Sequence, residues 1–201
     1  MKHITIPLFQ YGELSKSAQA VVIEAFKKSS WYDYSDHERY DYNQSLAIFN
    51  AAFDTVKYLG GHSVNDVKNL VIQAVNKAAQ IHGRENPYYL EYFDDKFESK
   101  ITNAEQAIKI CDHGLLKGQS ADFYLTDTIV KFLKGEDYQN LSIGELIKTA
   151  HKNGRTALNK QCRFFETKSH IHQCLMDDCS DWFLEDGSKA PSVLTDQLQA
   201  A

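Results

Sequence analysis

Tyr42, Leu46, Phe49, Phe53 and Val56 recur three and four residues apart, the spacing that gathers apolar side chains on one face of an α-helix. The pattern predicts one long helix over 36–59, with Tyr42 on its inner face and Tyr40 facing outward. Ser35 and Glu38 stand at capping-box spacing ahead of it, and Gly60-Gly61 supplies a stop. The same period recurs along the chain. Ser15 caps a helix carrying Ala18, Val21, Val22, Ala25 and Phe26, and Ser63 caps one carrying Val67, Leu70, Val71, Ala74, Val75 and Ala78. Asn103 opens a helix with Ala107, Ile108, Cys111 and Leu115, stopped by Gly118. Ser120 opens the next, with Phe123, Ile129, Val130 and Leu133, stopped by Gly135. Ser142 and Glu145 form a second capping-box pair before Leu146, Ile147 and Ala150, and a last long helix is expected over 155–176.

Two short stretches break the helical period. Ile4-Thr5-Ile6-Pro7-Leu8 alternates with period two, and Pro7 places it at a sheet edge because proline has no N–H for a ladder. Asp181-Trp182-Phe183-Leu184-Glu185 reads as a second strand entering a turn at Asp186-Gly187. The expected fold is therefore mainly α, a single helical domain over 1–201. A small terminal β element makes it α+β, with no parallel sheet.

Composition changes this picture little. The chain has 201 residues, 43% hydrophobic and 24% charged, with three prolines. No apolar run approaches the roughly 18–20 residues of a membrane helix, and the N-terminus lacks the apolar core of a secretory signal. The expected location is the cytoplasm, with Cys111, Cys162, Cys174 and Cys179 as reduced thiols. Net charge is −5, and it is uneven. Residues 1–113 hold 12 Lys/Arg against 15 Asp/Glu, 114–170 hold 9 against 6, and 171–201 hold 1 against 6. A general nucleic-acid binder shows a stronger basic excess than this.

Glu13-Leu14-Ser15-Lys16-Ser17-Ala18, following a strand, resembles the start of a widespread group of small phage-encoded accessory proteins often described as antitoxin-like. The aromatic, acidic opening of the second helix over 31–42 is similar to that group as well. So is Phe183-Leu184-Glu185-Asp186-Gly187, which resembles its terminal Phe-x-Glu-Asp-Gly. The likeness covers 1–62 and about 180–190, leaving 63–170 as a helical insertion. Lys16 and Ser17 stand where the group usually has an acidic pair. The resemblance implies phage origin and an accessory role, either as an antitoxin or as an inhibitor of host defence.

His170 and Cys174 lie four apart on one helical face, with Cys179 and Cys162 nearby, but no C-x-x-C pair accompanies them. Partly buried thiols and surface histidines are the preferred reading, so no metal and no cofactor is expected. Cys111-Asp112-His113 reads as core packing, since neighbouring helical residues diverge. No catalytic motif is present, and the chain is read as a non-enzyme.

The segment 31–43, WYDYSDHERYDYN, holds five aromatic rings, four carboxylates and one arginine. Exposed Trp and Tyr anchor protein interfaces, and surrounding acids steer a basic partner. Trp31, Tyr32, Asp33 and Tyr34 are the expected protein-binding residues, and the 88–98 stretch is a second aromatic, acidic segment. The leading expectation is an anti-CRISPR-like inhibitor that occludes a host protein or ribonucleoprotein defence complex. An antitoxin that neutralises one toxin stands second. Third is a nucleic-acid-binding module using Lys148, Lys152, Arg155 and Arg163, which share a helical stripe only if the chain does not stop at Asn153-Gly154.

Overall fold

The computed structural model describes residues 6–29, 34–60, 63–85, 101–112, 114–116, 121–192 and 195. Ile4, Thr5, the 86–100 aromatic segment and the Ser120 cap lie outside the described residues. The protein is mainly helical. Seven helices occur among the described residues: α1 (Lys16–Lys27), α2 (Tyr34–Phe53), α3 (Val64–Glu85), α4 (Ala104–Asp112), α5 (Asp122–Lys134), α6 (Ile143–Phe165) and α7 (Lys168–Asp178), preceded by a 3-10 turn at Tyr11–Glu13. None of them is long and apolar enough to cross a membrane.

The expected caps form where a short polar side chain meets an orphan amide. Ser15 Oγ accepts from the Ala18 amide at 3.2 Å, and Asn103 Oδ1 from the Gln106 amide at 2.9 Å. Ser63 and Asp66 cap α3 reciprocally at 3.0 and 3.1 Å. Ser142 and Glu145 do the same for α6 at 3.0 and 3.4 Å. Gly135 ends α5 in the left-handed region, φ +79°.

Four boundaries differ from the sequence reading. Helix α4 ends at Asp112, so Leu115 lies in the turn after it and not on the helix. Helix α2 starts at Tyr34, so Ser35 lies inside its first turn rather than at the cap, and its Oγ donates to the Cys162 carbonyl at 3.3 Å. The same helix ends at Phe53, not Leu59. Thr55 Oγ1 donates to the Ala52 carbonyl at 2.6 Å, and the Val56 and Leu59 amides bond three residues back, so the chain leaves α-geometry. Helix α6 runs unbroken through Gly154, and the break falls instead at Thr167. There Oγ1 accepts from the His170 amide at 3.2 Å and donates to the Phe164 carbonyl at 2.8 Å.

The chain divides into two compact units, Met1–Ser35 with Cys162–Ala201, and Asp36–Gln161. In the first, α1, α7 and the 3-10 turn enclose a core of Tyr11, Leu14, Ala18, Val22, Ile23, Ile171, Leu175 and Phe183. The terminal segments form no sheet among the described residues. Phe9 and Phe183 instead make one antiparallel bridge, exchanging two backbone hydrogen bonds of 2.9 Å. The pairing of the two ends goes no further because Phe9 leads into the 3-10 turn, while on its other side Phe183 bridges Lys189. Phe183 in turn leads into a tight loop, where the Gly187 amide bonds the Leu184 carbonyl at 2.9 Å.

In the second unit Phe49 and Phe53 stack at 4.2 Å between ring centroids. Val71, Ala74, Val75, Cys111, Leu115, Leu116, Leu125, Ile129, Phe132, Leu146 and Ala150 are fully buried. A polar pair lies within this unit. Buried Ser45 donates to Asp122 Oδ1 at 2.5 Å, and Asp122 Oδ2 accepts the Leu116 amide at 3.0 Å. Buried carboxylates persist only with such partners.

Candidate functional site

Helix α6 is amphipathic and buries Ile143, Leu146, Ile147, Ala150, Leu158 and Cys162. Two adjacent phenylalanines, Phe164 and Phe165, close it. Neighbouring helical residues point about 100° apart, so both rings cannot follow one buried stripe. Phe164 is 51% exposed. The Thr167 cap then starts α7 and places His170 beside both rings, at centroid distances of 4.8 Å from Phe164 and 5.1 Å from Phe165. Tyr34, 47% exposed at the start of α2, completes the group at 5.8 Å from Phe165 and 6.2 Å from His170. The Ser35–Cys162 contact, with Cys162 Sγ also 3.7 Å from the Ser35 carbonyl, fixes these helix ends together. Tyr34, Ser35, Cys162, Phe164, Phe165 and His170 all belong to the first unit. The result is an open aromatic cluster on a fixed frame, with tilted and edge-on ring geometries favoured by the ring quadrupoles.

The thiols nearby are poor nucleophiles. Cys174 Sγ lies 3.5 Å from His170 Nε2, yet burial, then Asp178 and Asp177, push that thiol up from its ordinary range. Burial raises Cys179 too, and it raises fully buried Cys111 far more. A thiolate is the reactive form, and these surroundings disfavour it. Among the described residues no three His, Cys, Asp or Glu side chains come together as a metal-ligand set. Next to the cluster in sequence, His172 Nδ1 pairs with the buried Tyr11 hydroxyl at 2.7 Å, which ties α7 to the 3-10 turn.

Of the expected protein-binding residues, Trp31, Tyr32 and Asp33 lie outside the described residues. Tyr34 falls in the cluster. The described acids of this segment, Asp36, Glu38 and Asp41, have partners within the protein. Glu38 is 8% exposed and accepts the Tyr124 hydroxyl at 2.6 Å. Asp36 faces Arg39 and Asp41 faces His37, each at 3.5 Å. Lys148, Lys152, Arg155 and Arg163 are all exposed on α6. The first three lie in the second unit and Arg163 in the first.

Sequence reasoning missed Phe164 and Phe165 altogether and considered His170 only as a metal ligand. The available signal was the Phe-Phe pair at the end of an amphipathic stripe, where one ring had to leave the core.

Comparison finds no family model, no curated protein and no solved structure that matches this chain.

Proposed function

We propose that the chain is a non-enzymatic, phage-encoded protein that binds and blocks a host defence complex in the manner of an anti-CRISPR protein. The contact is the aromatic surface at Tyr34. The observation that supports this reading is the exposure of Tyr34 and Phe164 at about half their surface while Phe165 and His170 hold them in place. Rigid, part-exposed aromatic rings are the residues that carry binding energy in protein interfaces. Little ordering entropy is lost when such a frame docks. Inhibition then follows from occlusion, with one chain covering a functional surface of its partner and no bond made or broken.

The test is interference in living cells. Bacteria carrying an active RNA-guided nuclease, and challenged with a phage it targets, should regain plaque formation when this chain is expressed. Tyr34→Ala with Phe164→Ala should abolish the effect at equal protein level. Full interference in every nuclease type tested, with the chain present and folded, contradicts the reading.

A further inference from the structure

Helix α6 carries a second surface of different chemistry. Between Leu146 and Phe165 its sequence holds Lys148, Lys152, Arg155, Lys160 and Arg163 and no Asp or Glu. That is a concentration of one sign in a chain of net charge −5. Lys148, Lys152 and Arg155 stand at i, i+4 and i+7, so they form one ridge on the part of the helix inside the second unit. The ridge depends on α6 passing through Gly154 without a stop, and it does so because Gly154 is buried against α5. A Cβ there would meet the Tyr124 carbonyl oxygen at 2.8 Å. Lys148, Lys152, Arg155 and Lys160 are exposed. Among the described residues none of the four takes part in an ion pair, whereas Lys27, Lys57, Lys131, Lys168 and Lys189 each do. Glu145, one turn before Lys148, is held by Ser142.

We propose that this ridge binds the sugar-phosphate backbone of duplex nucleic acid. Three cations spread over seven residues span about 10 Å of helix axis. A duplex carries one phosphate per about 1.7 Å of its axis with both strands counted, so a stretch of that length offers enough phosphates for each of the three cations to meet one. Exposed Asn159 beside the ridge adds a neutral donor of the kind that contacts phosphate oxygens, whereas the Thr156 hydroxyl already donates to the Lys152 carbonyl at 2.9 Å. Leu158 is buried, and among the described residues α6 itself exposes no large apolar side chain between Lys148 and Lys160 that could enter a lipid surface or anchor a protein interface. Two carboxylates act close to the ridge, Glu145 on Lys148 and Asp54 on His151, while charges beyond about 8–10 Å are screened at physiological salt. The binding is electrostatic and indifferent to sequence. This binding does not depend on the aromatic surface.

The experiment is fluorescence anisotropy of a labelled 20-base-pair duplex titrated with the full chain from 25 to 200 mM NaCl. Saturable binding is expected at low salt, with log K falling against log salt at a slope of about −3, near −0.9 per phosphate contacted. Lys148→Gln, Lys152→Gln and Arg155→Gln together should abolish binding with an unchanged helical circular-dichroism spectrum. Lys16→Gln, Lys28→Gln and Lys134→Gln together remove the same total charge and should leave binding within about twofold, because they lie off the ridge. The charge-preserving set Lys148→Arg, Lys152→Arg and Arg155→Lys should also retain it. Absence of binding at 25 mM salt overturns the proposal, as does equal loss in the off-ridge control. Binding to vesicles rich in phosphatidylserine, or to polyglutamate, with none to the duplex overturns it as well.

Discussion

Gly187 is pressed against Ala18: a Cβ on the glycine would lie 2.4 Å from the Ala18 carbonyl oxygen, with φ at +86°. Both features exclude a side chain. The left-handed backbone disfavours any L-residue, and the closest atom is backbone that cannot swing aside. The Asp186-Ser188 turn holds this position, Asp186 Oδ1 accepting the Ser188 amide at 2.9 Å. Gly187→Ala should therefore cost about 3 kcal/mol, combining backbone strain and overpacking. Urea unfolding followed by circular dichroism checks this. Gly12→Ala is the control, because its Cβ would meet only the mobile end of Met176 at 3.5 Å, and it should lie within about 0.5 kcal/mol of the parent.

Two glycines of α6 should respond with opposite sign. Alanine is favoured over glycine in a helix by about 1 kcal/mol. At Gly144 the nearest atom to a new Cβ is the Lys57 carbonyl oxygen at 3.8 Å, an ordinary contact. Gly144→Ala should raise the melting temperature. At Gly154 the Tyr124 backbone stands at 2.8 Å, and the overlap outweighs the propensity gain. Gly154→Ala should lower stability by about 1 kcal/mol or more. Differential scanning calorimetry of the two variants separates packing from propensity directly.

What the sequence reveals of this fold follows from the range of each interaction. Ser15, Ser63, Asn103, Ser142 and Gly135 act within three or four residues, so their roles are legible from spacing alone. Tyr42, on the apolar stripe, is 4% exposed as its period requires. Val21 carries the same apolar signal and is 50% exposed, since a stripe defines a face more broadly than the core uses it. The breaks at Thr55 and Thr167 depend on a hydroxyl taking a carbonyl three residues back, a choice that pattern does not encode. The terminal strands were read from alternation, but sheet extension depends on both partners staying extended, and the turns after Phe9 and Leu184 prevent that. For the candidate site, Tyr34 was visible as one of a run of aromatics. Phe165 and His170, which prop it, lie far along the chain and meet it only through folding.

His151 should make stability fall on acidification. Its Nε2 is buried without a hydrogen-bond partner among the described residues, and its ring lies 5.4 Å from that of Phe49. Burial lowers its pKa first, then Lys57 and Arg155, against an opposing effect of Asp54. A base whose folded pKa lies below its ordinary value of 6.5 binds its proton more readily when unfolded. Its contribution is complete above pH 6.5 and is lost as pH falls from there toward the folded value. Urea midpoints measured at pH 7.5 and 5.5 should drop for the parent more than for His151→Phe, which removes the titration while keeping a ring. An equal drop in both would assign the pH dependence to other groups.

The aromatic surface carries the functional account, and its energetics can be measured once a defence complex protected against by the chain is in hand. Biolayer interferometry of that complex against the parent chain and the Tyr34→Ala, Phe164→Ala double variant is the most direct measurement, with melting temperatures recorded in parallel. The account predicts near-equal melting temperatures, because both rings are about half exposed. It also predicts affinity lower by about 30-fold or more, the loss expected when an interface anchor of about 2 kcal/mol is removed. The loss should appear mainly as faster dissociation. Affinity unchanged within a factor of two, at an unchanged melting temperature, would contradict the claim that this cluster is the binding surface.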